Sequence, residues 1–127
     1  MTLDEFFSGY ETSRSMFDAV HLLVGSLGPV EIRVSKSQIA FVSGRAFAWA
    51  WLPGRYLKQG DVPLVLSLAL ERRDASPRWK EVVEPVPGHF MHHLELRDDS
   101  QLDDQVRAWL REAREAAQRS PRRQASG

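Results

Sequence analysis

The stretch Val24-Gly25-Ser26-Leu27-Gly28-Pro29-Val30-Glu31-Ile32-Arg33-Val34 contains the change of period that decides the fold. Before it, Met16, Val20, Leu23, Val24 and Leu27 recur at steps of three and four, and Phe17 widens the stripe. That spacing makes one apolar helix face and predicts a helix over roughly Glu11 to Leu27. Gly28 and Pro29 then stop it, because glycine accepts the left-handed terminus and proline cannot extend the ladder. Beyond Pro29 the period is two: Val30, Ile32 and Val34 alternate with Glu31, Arg33 and Ser35, which predicts a half-buried strand.

Working outward, Ser35-Lys36-Ser37 reads as a turn into a second strand carrying Ile39 and Phe41. Ser43-Gly44-Arg45 turns again into Ala46 to Leu52, where Phe47, Trp49 and Trp51 point one way and Ala46, Ala48 and Ala50 the other. An all-alanine face predicts a helix packed close above it. Pro53-Gly54 breaks this strand, and Gln59-Gly60-Asp61 falls in the connection. Leu64, Leu66, Leu68 and Leu70 share one face of a fourth strand. Arg72 to Lys80 reads as a loop, Val82-Val83 as a short edge strand, and His89 to Leu96 as the fifth clear strand. Upstream, Thr2 and Glu5 have capping-box spacing for a short helix ended by Gly9. Downstream, Ser100 and Asp103 give a second such start, followed by the stripe Leu102, Val106, Trp109, Leu110, Ala113 and Ala117.

Strands in succession with helices only at the two ends predict an α+β domain. Its expected form is a curved antiparallel β-meander of about five strands, with the N-terminal and C-terminal helices packed on one face. Residues 1–118 are expected to form one domain, and 119–127 a disordered polar tail. The Leu face and the aromatic face cannot both meet solvent, which suggests a sheet curved around an interior of its own.

The 127 residues hold 17 basic and 17 acidic side chains, so nothing in the net charge points to nucleic acid or an acidic membrane. Fourteen of the basic residues are Arg and three are Lys, a bias that base composition of the genome explains. Cysteine is absent, which excludes disulfides, thiolate metal sites and a thiol nucleophile. Met1 to Gly9 lacks the layout of a secretory signal and no apolar run approaches bilayer length, so a cytoplasmic location is expected.

His89, His92 and His93 draw attention as metal ligands. On one strand, however, His89 and His93 stand about 13 Å apart at ~3.3 Å per residue, and His92 faces the other way. No metal and no cofactor are therefore expected. His92 is read as a core imidazole and His93 as a cleft-facing one. Trp49 and Trp51, adjacent on one face, could line a pocket for a planar or apolar ligand. A basic-polar set, Lys36, Gln38, Arg45, Arg55, Arg78 and Lys80, lies at strand ends, and Trp79 stands between two cations. The phosphate-loop, dinucleotide, nucleophile-elbow, zinc-protease and EF-hand patterns are all missing, so no catalytic residue is assigned. Asp98-Asp99 and Asp103-Asp104 flank a helix start, where acidic residues stabilise the dipole without chemistry.

Ser35-Lys36-Ser37-Gln38-Ile39-Ala40-Phe41, then Phe47-Ala48-Trp49, Trp79-Lys80-Glu81-Val82 and the His-containing strand before Ser100 give the chain a family likeness. It resembles a bacterial family of unknown function whose members often carry the label "predicted transport protein domain", and is distantly similar to YdhG-like and frataxin-like small α+β domains. The resemblance implies a compact domain with a curved antiparallel sheet and terminal helices. In some relatives it implies an association with nuclease-like modules. It supplies no catalytic residues.

The resulting expectation is a non-enzymatic binding module for a small molecule or protein partner. Its ligand residues would be Lys36, Gln38, Trp49, Trp51, Trp79, Lys80 and His93. A nucleic-acid accessory module, with Trp79 stacking on a base between Lys36, Arg78 and Lys80, is the alternative. An enzyme using His93 with Glu95 ranks last. The long apolar sheet face also invites a homodimer.

Overall fold

A computed structural model describes residues 1–55 and 62–119. The expected Gln59–Asp61 connection, the Arg55 side chain and the tail from Ser120 onward lie outside the described residues. Two helices open the chain, α1 (Leu3–Phe6) and α2 (Glu11–Gly25). The strands β1 (Glu31–Val34), β2 (Ile39–Ser43) and β3 (Arg45–Trp51) follow, then a 3₁₀ turn (Pro53–Arg55) and β4 (Leu64–Leu70). After these come β5 (Glu81–Val86), β6 (His89–Leu96), a second 3₁₀ turn (Asp99–Gln101) and α3 (Asp104–Arg119).

The six strands form one curved antiparallel sheet in the order β1-β2-β3-β4-β6-β5. It is a meander through β4. The last hairpin is then laid down so that β6 pairs with β4 and β5 becomes the edge. Composition explains this exchange. β5 carries Pro85 and is almost wholly exposed, as befits an edge, whereas β6 presents His92, Leu94 and Leu96 to the core. This strand brings the count to six where about five were expected.

Both long helices lie on the same face. Phe17, Val20 and Val24 of α2 and Val106, Leu110, Ala113 and Ala117 of α3 share one cluster with Phe41, Ala48, Ala50, Leu66, Leu68, Leu94 and Leu96. Ala48 and Ala50 are fully buried, and their small side chains let α3 sit directly on β3. The leucine face of β4 is on this side too, so the aromatic face is the opposite one, which no helix among the described residues covers. The sheet therefore stays open, with β1 and β5 as its edges. It does not close around an interior, as the surplus of apolar faces suggested.

Phe47 departs from its expected face. The β2–β3 register pairs Phe41 with Ala48 and Val42 with Ala46, leaving Phe47 as an extra residue at a bulge. The bulge turns its ring into the helix-side core, where it is 1% exposed and lines a small cleft with Ala113, Ala116 and Ala117.

The Thr2–Glu5 capping box forms, with both reciprocal bonds present. The second box does not form at Ser100–Asp103. It sits at Asp98–Gln101 on the 3₁₀ turn, Leu102 leaves helical geometry, and α3 starts at Asp104 with the Asp103 carboxylate accepting from Val106 N–H. Helix α2 ends at Gly25, two residues before the expected Leu27.

Candidate functional site

Antiparallel register assembles one row across the whole open face: Arg33 on β1, Ala40 on β2, Trp49 on β3, Ser67 on β4, His93 on β6 and Glu81 on β5. Each is the outward neighbour of a core-facing residue, which is the consequence of a period of two. Trp51, one outward step along β3, completes the centre.

The polar groups at this centre form a chain. The Trp51 indole N–H donates to Ser67 Oγ at 3.1 Å, and Ser67 Oγ is 2.7 Å from His93 Nδ1. Ser67 is 3% exposed, so its one hydroxyl proton needs an acceptor. With His93 neutral, that proton goes to Nδ1 and the ring proton sits on Nε2. With His93 charged, Nδ1–H would occupy Ser67 and displace the hydroxyl proton from its acceptor. Burial pushes the His93 pKa below its ordinary value, partly offset by the Glu81 carboxylate. Geometry and burial thus favour the same neutral form. On the far side, Glu95 is shared between Lys80 Nζ at 3.6 Å and Arg97 at 3.3 Å.

Two shallow hollows flank the Trp51–His93 pair. One, about 340 Å³, is lined by Gln38, Trp49, Trp51, Ser67, Met91 and His93. The other, about 380 Å³, is lined by Trp51, Pro53, Val65, Lys80, Glu81, His93 and Glu95. A wider concavity of about 580 Å³ runs along the outer side of α2 by Asp18, His21 and Leu22. It lacks convergent polar groups, since Asp18 is paired with Arg14 and Ser26 Oγ donates to Leu23 O.

The open face thus brings together Gln38, Trp49, Trp51, Lys80 and His93 of the residues expected from sequence. Lys36 sits on the turn before β2, outside the lining of both hollows. Trp79 is on the opposite side altogether. It is 8% exposed, its N–H donates to Asp74 at 2.9 Å, and its ring packs against Trp109 and His92. That correction follows from the loop before β5, which folds over the helix-side core. Arg78 is likewise engaged, donating to Asp103, Gln105 and the Gln101 carbonyl and lying over the Trp109 ring.

His92 is a core residue, fully buried, its Nε2 accepting from Asp74 N–H at 3.0 Å and its Nδ1 donating to Phe90 O at 3.1 Å. Burial lowers its pKa. Among the described residues, no group of three or more His, Asp or Glu is placed to hold a metal ion. Nor is any helix there long and apolar enough to cross a membrane.

Sequence reading missed Pro53, Val65, Ser67, Glu81 and Met91 as lining residues. Ser67 had one visible mark: it is the single hydroxyl inside the apolar run Leu64–Leu70.

A family described as "Domain of unknown function (DUF5655)" matches residues 3–116, from α1 through most of α3. The chain belongs to that family. The DUF5655 span includes every residue that lines the two hollows. No curated protein and no solved structure matches the chain.

Proposed function

We propose that this DUF5655 chain, over residues 1–118, is a non-enzymatic binding module that holds a small molecule, or a short segment of a protein partner, on the open face of its sheet. The observation that carries this reading is the Trp51–Ser67–His93 hydrogen-bond chain, set between two aromatic-lined hollows on a face no helix covers. Such a site offers flat apolar area and a few fixed polar groups, the usual composition of a ligand pocket. Lys80 and Glu95 at its rim add charge at the more exposed end. The likeness to YdhG-like and frataxin-like domains stays an expectation of the sequence resemblance. A cytoplasmic location belongs to the same proposal.

The nucleic-acid alternative keeps Lys36 and Lys80 but has no base platform at Trp79, whose indole is committed to Asp74 and Trp109. An enzyme built on His93 and Glu95 lacks a further argument, because Glu95 is occupied by Lys80 and Arg97.

A fragment screen by thermal shift, with tryptophan fluorescence as second readout, tests the proposal. The expected result is stabilising compounds whose effect disappears in Trp51→Ala, the tryptophan common to both hollows. Absence of any compound with that dependence rules out the binding site. A second copy of the chain is the competing occupant: a dimer in sedimentation that Trp49→Glu dissolves would replace the small-ligand reading.

A further inference from the structure

Resting on the binding site proposed above, we infer that the hollow between Gln38 and His93 selects an uncharged planar heteroaromatic ring bearing a carboxamide-like donor and acceptor on its edge. Trp49, Trp51 and Met91 supply flat and polarisable surface, suited to the faces of a ring. Among the described residues, no carboxylate, ammonium or guanidinium lines this hollow, and Lys80, Glu81 and Glu95 line the neighbouring one. A charged ligand in the first hollow would give up part of its water without gaining a counter-ion among the described lining residues, so a neutral one is favoured.

Two polar groups there have no partner among the described residues. One is His93 Nε2, because Nδ1 holds the bond to Ser67. With the Ser67 hydroxyl donating to Nδ1, the ring proton is on Nε2, which is then a donor and asks for an acceptor on the ligand. The other is the Gln38 carboxamide. The Gln38 backbone is fixed by Ser35, whose Oγ accepts from Gln38 N–H and whose N–H donates to Gln38 O. Its side chain is left with a donor and an acceptor together, the complement of another amide. A ring nitrogen or carbonyl for His93, an amide edge for Gln38 and an apolar face for the tryptophans define the ligand class.

Three pyridines of nearly equal size separate charge from shape: nicotinamide is neutral, nicotinate is an anion and 3-(aminomethyl)pyridine is a cation near neutral pH. Each is titrated into the full chain while the indole N–H signals are followed by ¹H–¹⁵N NMR, assigned with Trp49→Phe and Trp51→Phe. Nicotinamide should move the Trp49 and Trp51 signals and leave Trp79 and Trp109 in place. The two charged probes should bind at least about tenfold more weakly, and Gln38→Leu should weaken nicotinamide by roughly the same factor. Equal or tighter binding of either charged probe at the same signals overturns the inference but leaves the binding site standing. A Gln38→Leu variant that binds nicotinamide unchanged also overturns it. If none of the three probes moves the Trp49 and Trp51 signals, the ligand class is wrong, and the fragment screen decides separately whether the site is.

Discussion

Adjacent on β6, His92 and His93 face opposite sides of the sheet, yet burial lowers the pKa of both below the ordinary 6.5. The unfolded chain therefore takes up protons before the native one as pH falls. Stability is full above about 6.5 and is lost as pH drops through 6.5 toward the lowered native values. The melting temperature should be flat from about pH 8 to 7 and begin to fall as pH drops below about 6.5, above the range in which carboxylates titrate. His93→Gln should make that fall shallower. A flat wild-type profile across this range would contradict the neutral assignments.

Asp74 is the hub of the buried side. It accepts from Trp79 Nε1, Ser76 N–H and Arg72, while its own N–H donates to His92. Burial alone would raise its carboxyl, but those three donors outweigh it and hold the group below the ordinary carboxylate value. Asp74→Ala should cost about 2–3 kcal/mol by chemical denaturation, because it strands a buried indole N–H, and Asp74→Asn should cost less. At this scale, strand alternation made the opposite facings of His92 and His93 readable. The Ser67 relay was not, since its meaning depends on Trp51 and His93 from two other strands. Trp79 was misread because a polar loop gives no local indication of which side of the sheet it crosses.

The elements were readable where a period is long and uninterrupted, as in α2, β4 and α3, and less so where one residue breaks it. Phe47 obeys the alternation of its neighbours on paper. The bulge that redirects it is set by pairing with β2, which no residue in Ala46–Leu52 encodes alone. The exchange of β5 and β6 is similarly a property of pairing, though Pro85 and the weak apolar content of β5 foretold an edge. Gly28 was readable as a helix stop, but the structure gives it a second duty. Its φ is +146°, and a Cβ there would stand 2.5 Å from the Arg114 guanidinium, which reaches across from α3 to donate to Pro29 O at 3.1 Å. Gly28→Ala should therefore destabilise by about 1–3 kcal/mol in denaturant unfolding. In an Arg114→Ala background the penalty should shrink, because only the backbone strain remains; an undiminished penalty would show that the guanidinium contact costs nothing.

For the molecule as a whole, one covered and one uncovered sheet face divide the tryptophans into two pairs. Trp79 and Trp109 are 8% and 4% exposed, whereas Trp49 and Trp51 line the open hollows. Acrylamide should quench the second pair readily and the first scarcely, measured with single Trp→Phe variants. Trp109→Ala should cost about 3–5 kcal/mol, because its buried ring leaves a cavity. Comparable quenching of all four would contradict the assignment of faces. The fold class was legible because it rests on two changes of period, at Gly28-Pro29 and near Ser100. Which face stays open was not, because that depends on both helices choosing the alanine and leucine side.

The contact between Trp79 and Trp109, with ring centroids 4.1 Å apart and planes tilted by 36°, also has an optical consequence. Two indoles held this close and at a fixed skew couple their electronic transitions, which produces a paired positive and negative band in circular dichroism. One partner sits in the loop before β5 and the other on α3, so the couplet exists only while the last helix is seated on that loop. It is a built-in gauge of when the C-terminal helix docks during refolding, read as the difference between wild type and Trp79→Phe.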